Sequence, residues 1–285
     1  MQTIEDQIKE ATLNLRQNKV ENPRLDAEVL LMHVLNCDHL FLLMHMKDAL
    51  TVQQCLDFEE LVKRRIKHEP IAYIIGQKGF MDAVFVVTPA VLIPRPDTES
   101  IVEAVIQRLK KENHQSLKIL DLCTGSGAIG ISLKQAFQEA HVTLTDISEE
   151  ALAVAKINAD RLCAGEVTVL LSDLFKAIPK RETFDLIISN PPYIPQKVMQ
   201  NLSVDVKNFE PTLALVGGDT GFDFYDRIID QAKAYLKPHG KLVLEAGDDQ
   251  DLRLIKQLEQ GGYRVIALIP DLIKRNRGIL AEKIL

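Results

Sequence analysis

Short apolar runs alternate with helical patterns from Leu117 to the end of the chain, and this alternation restricts the possible folds more than any other feature. The runs that read as strands are residues 118–122, 142–146, 167–171, 185–189, 241–246, 263–268 and 278–284. Helical spacing of apolar residues marks segments between them, at residues 128–138, 149–163, 223–236 and 249–260. Consecutive strands separated by helices pair in parallel through right-handed crossovers. The sequence therefore predicts an α/β fold built on a seven-stranded, mainly parallel sheet.

The last two strands depart from this rule, because too few residues separate them for a crossover helix. They should therefore pair antiparallel. A Rossmann-like sheet of seven strands that ends in an antiparallel hairpin is the layout of class I methyltransferases. We take this layout as the predicted fold class.

The N-terminal part of the chain shows helical patterns without strands. Ile4, Ile8 and Leu15 fall on one stripe of a helix, and Thr51 followed by Gln54 is a capping-box signature at the start of another. This pattern predicts a small helical domain, which we interpret as a module that docks the substrate.

The predicted domain limits follow from where the helical patterns end. Strand-like residues at 73–75 and 85–87, punctuated by Gly76 and Gly79, predict a β-hairpin. We expect a helical domain at residues 1–70, a β-hairpin linker at 71–93 and the catalytic domain at 94–285.

A basic cluster closes the last helix of the N-terminal domain: Lys63, Arg64, Arg65, Lys67 and His68. Cations at this position stabilise the C-terminus of a helix. Contact with RNA or with an acidic protein is the alternative interpretation, and the sequence leaves both open.

Composition excludes several classes of protein. The formal net charge of −6 disfavours a protein held to nucleic acid mainly by phosphate contacts, so we expect no direct nucleic-acid partner. The four cysteines lie too far apart for a zinc knuckle, and we expect no metal. The N-terminus lacks a signal-peptide pattern, and no apolar run is long enough to span a membrane. We expect a cytoplasmic monomer without membrane contact.

A glycine-rich segment follows the first strand of the sheet, at residues 123–130. Its glycines allow a sharp turn and a close approach of the backbone to a ligand. Asp146 stands at the end of the second strand, where a carboxylate binds ribose hydroxyls. These two signals fit NAD and S-adenosylmethionine (SAM) almost equally.

A stiff, acceptor-rich loop follows the fourth strand: Asn190, Pro191, Pro192 and Tyr193. Two prolines fix the backbone and remove N–H donors, Asn190 adds a side-chain carbonyl oxygen, and Tyr193 adds an aromatic face. Such a loop suits a planar NH2 group. Together with the closing hairpin and the lack of a His or Tyr–Lys proton relay, it favours SAM over NAD.

The chain resembles the HemK-type release-factor glutamine methyltransferases essentially from end to end. The segments that carry the resemblance are residues 24–31, 70–76, 92–99, 124–129, 146–148, 190–194, 210–211 and 217–219. Residues 94–99, Pro-Arg-Pro-Asp-Thr-Glu, are the most specific of them, whereas Asn-Pro-Pro-Tyr alone is shared with adenine-N6 and guanine-N2 methyltransferases. Cys123 departs from the family, in which many members have glycine.

The resemblance implies transfer of a methyl group from SAM to the side-chain nitrogen (N5) of the glutamine in the GGQ motif of class I peptide-chain release factors, which modulates translation termination. It implies a SAM pocket lined by Cys123, Thr124, Gly125, Ser126, Gly127, Asp146, Asp173, Leu174 and Asn190. It assigns the substrate glutamine to Asn190, Pro191, Pro192 and Tyr193, of which Asn190, Pro191 and Tyr193 would be catalytic.

We expect Asn190 and the Pro191 carbonyl oxygen each to accept one N–H of the substrate amide, with Tyr193 packed against it. Three alternatives remain open. The chain could methylate amino groups of nucleic acid, methylate a glutamine of a ribosomal protein, or bind SAM without catalysis.

Overall fold

The computed structural model describes residues 2–112, 116–271 and 273–284. The chain divides into two compact units. Met1–Gln77 and Ser203–Phe209 form the first unit, and Lys78–Leu202 and Glu210–Leu285 form the second.

The helices of the described residues, in chain order, are α1 (Ile4–Gln17), α2 (Pro23–Leu35), α3 (His39–Met44), α4 (Val52–Ile66), α5 (Ile71–Ile75), α6 (Pro96–Lys111), α7 (Ala128–Ala136), α8 (Glu149–Cys163), α9 (Val204–Phe209), α10 (Thr212–Leu215), α11 (Asp223–Tyr235) and α12 (Asp251–Gln260). A 3-10 helix spans Gln196–Asn201.

The strands are β1 (Gln77–Phe80), β2 (Ala83–Val86), β3 (Lys118–Leu122), β4 (His141–Asp146), β5 (Thr168–Leu171), β6 (Phe184–Ser189), β7 (Leu236–Glu245), β8 (Tyr263–Pro270) and β9 (Asn276–Lys283). Strands β1 and β2 form a separate two-stranded sheet.

The first unit is helical, and its core comes from the apolar stripes of α1, α2 and α4, with Leu15, Leu30 and Phe58 at its centre. The predicted capping box at Thr51 is confirmed: its hydroxyl oxygen accepts from the Gln54 N–H, and the Gln54 side chain accepts from the Thr51 N–H. Such caps satisfy N–H groups that the first helical turn leaves without partners.

Two arginines of the basic cluster are used inside the first unit. Arg65 is buried, and it donates to Asp26 at 2.7 Å and to Asp205 of α9 at 2.9 Å. Arg64 is paired with Glu69. Because a buried charge needs a partner, Arg65 serves the packing of this unit, and contact with RNA does not explain it.

The strand predicted at residues 73–75 is wrong, since this segment lies within helix α5. Pro70 precedes the helix, and Gly76 ends it in the left-handed region, with φ of 73°. Both are helix-boundary signals. Buried apolar residues at neighbouring positions, Ala72, Tyr73 and Ile74, fit a short helix as well as a strand, so the local pattern could not separate the two.

The large sheet has the strand order β5-β4-β3-β6-β7-β9-β8. Strands β3 to β7 pair in parallel, and β9 pairs antiparallel with both β7 and β8. The predicted antiparallel pairing of the last two strands is therefore confirmed. Because the strand order reverses at β3, a crevice is expected beyond its carboxyl end.

Side chains of the central strands alternate between two cores. Ile119, Leu186 and Ile188 join the core beneath α6, α7 and α8. Leu120 and Ile187 point to the opposite face and join the core beneath α11 and α12. Helices therefore cover both faces of the sheet, as a parallel sheet requires.

Strand β7 starts five residues earlier than expected, at Leu236 rather than Lys241, so residues 237–240 lie within it. The pairing explains the difference: Phe184 of β6 pairs with Leu236, and Leu186 already pairs with Lys241. The intervening residues form a bulge. His239 is exposed there, with φ of 60°.

Within the three described ranges, no helix is both long and apolar enough to cross a bilayer.

Candidate active site at the carboxyl edge of the sheet

The register of the parallel strands brings the predicted site residues to one edge. Leu122 pairs with Thr145 and with Ser189, and Ser189 pairs with Leu244. The segments that follow β3, β4, β6 and β7 therefore start at the same level of the sheet.

The glycine-rich loop turns from β3 into α7. Gly127 caps this helix with φ of 83°, and a Cβ built on it would lie 2.7 Å from Ile131. A Cβ built on Gly125 would instead meet no atom within 4 Å. The loop thus packs tightly on its helix side and faces open space at Gly125, where a ligand can approach the backbone.

Asp146 ties this loop to the end of β4. One carboxylate oxygen accepts from the Gly125 N–H at 2.9 Å, and the other accepts from the Ser148 N–H at 3.0 Å. Burial raises the pKa of Asp146, while these hydrogen bonds oppose the shift. Each oxygen keeps a further lone pair, so the carboxylate can still accept from hydroxyl groups in the cavity.

Asp121 is a buried acid that the sequence interpretation missed. Its Oδ2 accepts from the Thr124 hydroxyl at 2.6 Å and from the Gly130 N–H at 3.0 Å, while its Oδ1 has no hydrogen-bond partner among the described residues. Burial raises its pKa to about 7. Its signal in the sequence is an acidic residue inside the apolar β3 run.

Asp173 and Leu174 follow β5. Asp173 accepts from Arg227 of α11 at 2.6 Å. Leu174 is buried with φ of 50°, and its carbonyl oxygen accepts from the Ser172 hydroxyl at 2.6 Å. Arg227 therefore orients the Asp173 carboxylate, a role that the sequence interpretation did not foresee.

Asn190 follows β6 and is half-buried. Its Nδ2 lies 3.5 Å from the Thr98 hydroxyl oxygen, and Thr98 donates to Glu245 Oε2 at 2.6 Å. None of the described residues donates a hydrogen bond to its Oδ1. The nitrogen end of the side chain is thus held by the protein, and the oxygen end remains available as an acceptor.

The residues after Asn190 are held by neighbouring segments. The Ile194 N–H donates to Leu215 O, and the Gly217 N–H donates to Ile194 O, each at 2.9 Å. Tyr193 O accepts from Gln250 Nε2 at 3.0 Å. A Cβ on Gly217 would lie 2.6 Å from Pro192 O. The Asn-Pro-Pro-Tyr loop therefore depends on a glycine that lets the 215–218 segment approach closely.

A cavity of about 310 Å³ opens at this edge. Its wall includes Cys123, Thr124, Gly125, Ser126, Asp146, Asp173, Leu174, Asn190 and Pro192 from the predicted set. Thr98, Arg95 and Phe224 line it as well, and sequence reasoning had not selected them for the site. Gly127, Pro191 and Tyr193 are not part of the wall. Tyr193 packs beside the α11–α12 core, and burial raises the pKa of its hydroxyl.

Among the described residues, no group of His, Cys, Asp and Glu side chains is arranged to hold a metal ion.

The fold and this edge site together define a class I, SAM-dependent type of methyltransferase. Two family models match the chain: the PrmC N-terminal domain over residues 6–76 and the methyltransferase small domain over residues 97–207.

Curated relatives match along nearly the whole chain. The release factor glutamine methyltransferase of Moorella thermoacetica is 41% identical and covers 99% of both chains. That of Clostridium acetobutylicum is 38% identical and covers 98% of both. The chain belongs to the release factor glutamine methyltransferase family.

Solved structures share the fold at low sequence identity. The hMettl16 catalytic domain, solved in complex with the MAT2A 3'UTR hairpin 6, aligns with a TM-score of 0.55 at 16% identity. The alignment covers 70% of this chain and 74% of that one. A likeness at this identity shows the fold alone.

Proposed function

We propose that this protein transfers a methyl group from SAM to the side-chain amide nitrogen of the glutamine in the GGQ motif of class I release factors. The observation that carries this proposal is the orientation of Asn190. Its nitrogen end is directed to Thr98, its oxygen has no hydrogen-bond donor among the described residues, and Asn190 is part of the cavity wall. A substrate that presents an N–H donor, as a carboxamide does, is complementary to this wall.

The residues of the cavity fit SAM. The Asp146 carboxylate can accept from ribose hydroxyls, and the open space at Gly125 admits a ligand close to the backbone. Asp173, oriented by Arg227, can accept from an adenine amino group beside the apolar Leu174. When bound, SAM supplies an electrophilic methyl group on a positively charged sulfur.

The remaining contribution of the protein is positioning. An amide nitrogen is a poor nucleophile, because its lone pair is delocalised into the carbonyl group. Asn190 Oδ1, whose residue is part of the cavity wall, accepts one N–H of the substrate amide and so orients the nitrogen. Pro191 is not part of that wall, so the second acceptor expected at its carbonyl oxygen stays a prediction. Positive charge that develops on the nitrogen is stabilised by the Asn190 oxygen. Tyr193 supports the loop, and its buried hydroxyl stays neutral.

The substrate assignment rests on the family. Relatives named for release factor methylation align with both units of this chain, and the PrmC N-terminal model matches the helical unit. We infer that this helical unit docks the release factor. Because release factors act in translation, we also infer that the reaction takes place in the cytoplasm. The net charge of −6 and the internal ion pairs of Arg65 give no support to a nucleic-acid substrate.

The test is incubation of the protein with labelled SAM and a purified class I release factor, followed by mass spectrometry of the peptides. We expect one added methyl group on the GGQ glutamine and none on a factor in which this glutamine is replaced by alanine. Label on RNA, DNA or a ribosomal protein, but not on the factor, would replace this proposal with one of its alternatives. Absence of transfer to every substrate would leave a SAM-binding scaffold.

A further inference from the structure

Glu245 is a buried acid directly behind the acceptor loop. It ends β7, the strand next to the one that leads into Asn190, and only 4% of its surface is exposed. It accepts from the Thr98 hydroxyl at 2.6 Å, and Thr98 in turn lies 3.5 Å from Asn190 Nδ2. Glu245, Thr98 and Asn190 thus form a short hydrogen-bond network. The Glu245 carboxylate lies at its buried end, and Asn190 Oδ1 is the acceptor at its other end.

While Glu245 is ionised, the hydrogen bonds of this network can run in only one direction, from Asn190 to Thr98 and from Thr98 to Glu245. A hydroxyl has a single hydrogen, and Thr98 gives it to Glu245. The Thr98 oxygen that faces Asn190 then offers only lone pairs. An asparagine side chain beside it must turn its NH2 group inward, and its oxygen must point outward.

We propose that Glu245 is a positioning residue for the methyl transfer: its ionised carboxylate, acting through Thr98, holds Asn190 with the oxygen toward the substrate amide. This inference rests on the proposed function. Asn190 has a nearly symmetrical side chain, and a rotation of its amide group would exchange acceptor for donor. Residues next to Asn190 in the loop cannot prevent this rotation, because Pro191 and Pro192 have no N–H groups.

Protonation of Glu245 reverses the network. A neutral carboxyl donates its proton to Thr98, the Thr98 hydroxyl becomes free to donate to Asn190, and Asn190 then turns its oxygen inward. Burial raises the pKa of Glu245 to about 7, which places this change within the working range of a cytoplasmic enzyme. Further titratable or charged groups act on Glu245 from the surrounding elements: Arg277 of β9, Asp97 of α6, Tyr193 of the loop and Tyr225 of α11. Arg277 opposes the upward shift, and Asp97 adds to it.

The first experiment measures kcat for release factor methylation between pH 5.5 and 9, with SAM and the factor saturating. For the wild type we expect a plateau above pH 8 and a fall that approaches tenfold per pH unit below the apparent pKa. Glu245→Gln should lower the plateau at least about tenfold and remove the acid limb, because its amide group cannot impose one direction on the network. SAM affinity, measured by calorimetry, should stay unchanged in this variant.

Two variants of Thr98 keep the test decisive if Glu245→Gln folds poorly. Thr98→Val keeps the shape of the side chain but removes the hydroxyl, and it should lose kcat to a similar extent. Thr98→Ser restores the hydroxyl and should recover most of the turnover. Glu282→Gln is the matched control, because Glu282 lies on β9 at the opposite end of the sheet, and this variant should keep the acid limb.

A readout without turnover separates this inference from the proposed function. The 15N side-chain amide signals of Asn190, assigned by their loss in Asn190→Ala, should shift with pH in the wild type and stay constant in Glu245→Gln. Asp121 titrates in the same range, but its ionisation should change SAM affinity and leave these signals unmoved. A Glu245→Gln enzyme with wild-type kcat and an unchanged acid limb overturns the inference. A wild type that never methylates the factor overturns the proposed function instead.

Discussion

Asn158, in the middle of α8, provides the sharpest test of how the second unit holds its glycine-rich loop. The side chain is completely buried. Its Oδ1 accepts from the Val86 N–H at 2.7 Å, and its Nδ2 donates to Val86 O at 3.0 Å and to Ser126 O at 2.9 Å. One side chain thus joins β2, α8 and the loop that contains Ser126, and both of its amide hydrogens are used.

Replacement of Asn158 by alanine should destabilise the protein by about 2–3 kcal/mol. Three hydrogen bonds are lost, each with a net value of about 1 kcal/mol, and the buried Ser126 carbonyl is left without this partner. Val86 is only partly buried, so water can replace some of the hydrogen bonds that its backbone loses. Alanine returns about 0.6 kcal/mol, because it is the better helix former. For a chain of this size, the net loss corresponds to a fall in Tm of roughly 3–5 °C.

Urea unfolding followed by circular dichroism is the suitable assay, because the chain has no tryptophan. Asn18→Ala is the control: Asn18 is exposed, its amide donates to Asn14 O at 2.8 Å, and its loss should cost less than about 0.5 kcal/mol. Asn158→Ala should also bind SAM more weakly, since Ser126, whose carbonyl oxygen accepts from Asn158, lines the cavity. A change in unfolding free energy below about 1 kcal/mol at constant m-value would refute the assigned role of these hydrogen bonds.

Three further predictions concern the cavity. Asn190→Ala should lower turnover about a hundredfold, the effect of removing an oriented acceptor worth about 3 kcal/mol, while SAM binding measured by calorimetry persists; near-normal turnover would contradict the proposed mechanism. Asp146→Ala should weaken SAM binding, and an unchanged affinity in the same assay would exclude its contact with ribose. The raised pKa of Asp121, about 7, means that the folded state favours its protonated form, so its stabilising contribution is complete below pH 4 and is lost as the pH rises through 7. Urea titrations at pH 4.5 and 7.5 should therefore show a smaller loss of stability in Asp121→Asn than in the wild type, and an equal loss would count against this assignment.

The sheet could be predicted from the sequence because the evidence for it is local. Each strand is a short apolar run, and the crossover helices between the parallel strands show their own periodicity. The antiparallel end of the sheet followed from a connection too short for a helix. Where two local patterns coincide, as at residues 73–75, the prediction failed, since only the helix boundaries at Pro70 and Gly76 decide between helix and strand.

The site was predicted only in the parts that lie within motifs. Asp146 ends one predicted strand and Asn190 directly follows another, so the parallel register placed them on one edge without further information. Thr98 and Glu245, in contrast, are 147 positions apart, and Asn158 and Val86 are separated by 72. No local pattern links such residues, because their hydrogen bonds exist only after the sheet and its helices have packed together.

There is a physical reason why the motif residues could be predicted and the residues behind them could not. Motif residues are those that would touch a ligand, and a loop such as Asn-Pro-Pro-Tyr is recognisable because stiffness requires proline and an acceptor requires a carbonyl oxygen. The orientation of the Asn190 amide, however, cannot be set by the loop itself, since an asparagine amide presents a donor and an acceptor of nearly the same shape. The choice between them must come from a group that can only accept, held at a fixed distance behind the loop. Glu245 meets that condition through Thr98, and it is therefore the buried acid, rather than the motif, that determines which half of Asn190 faces the cavity.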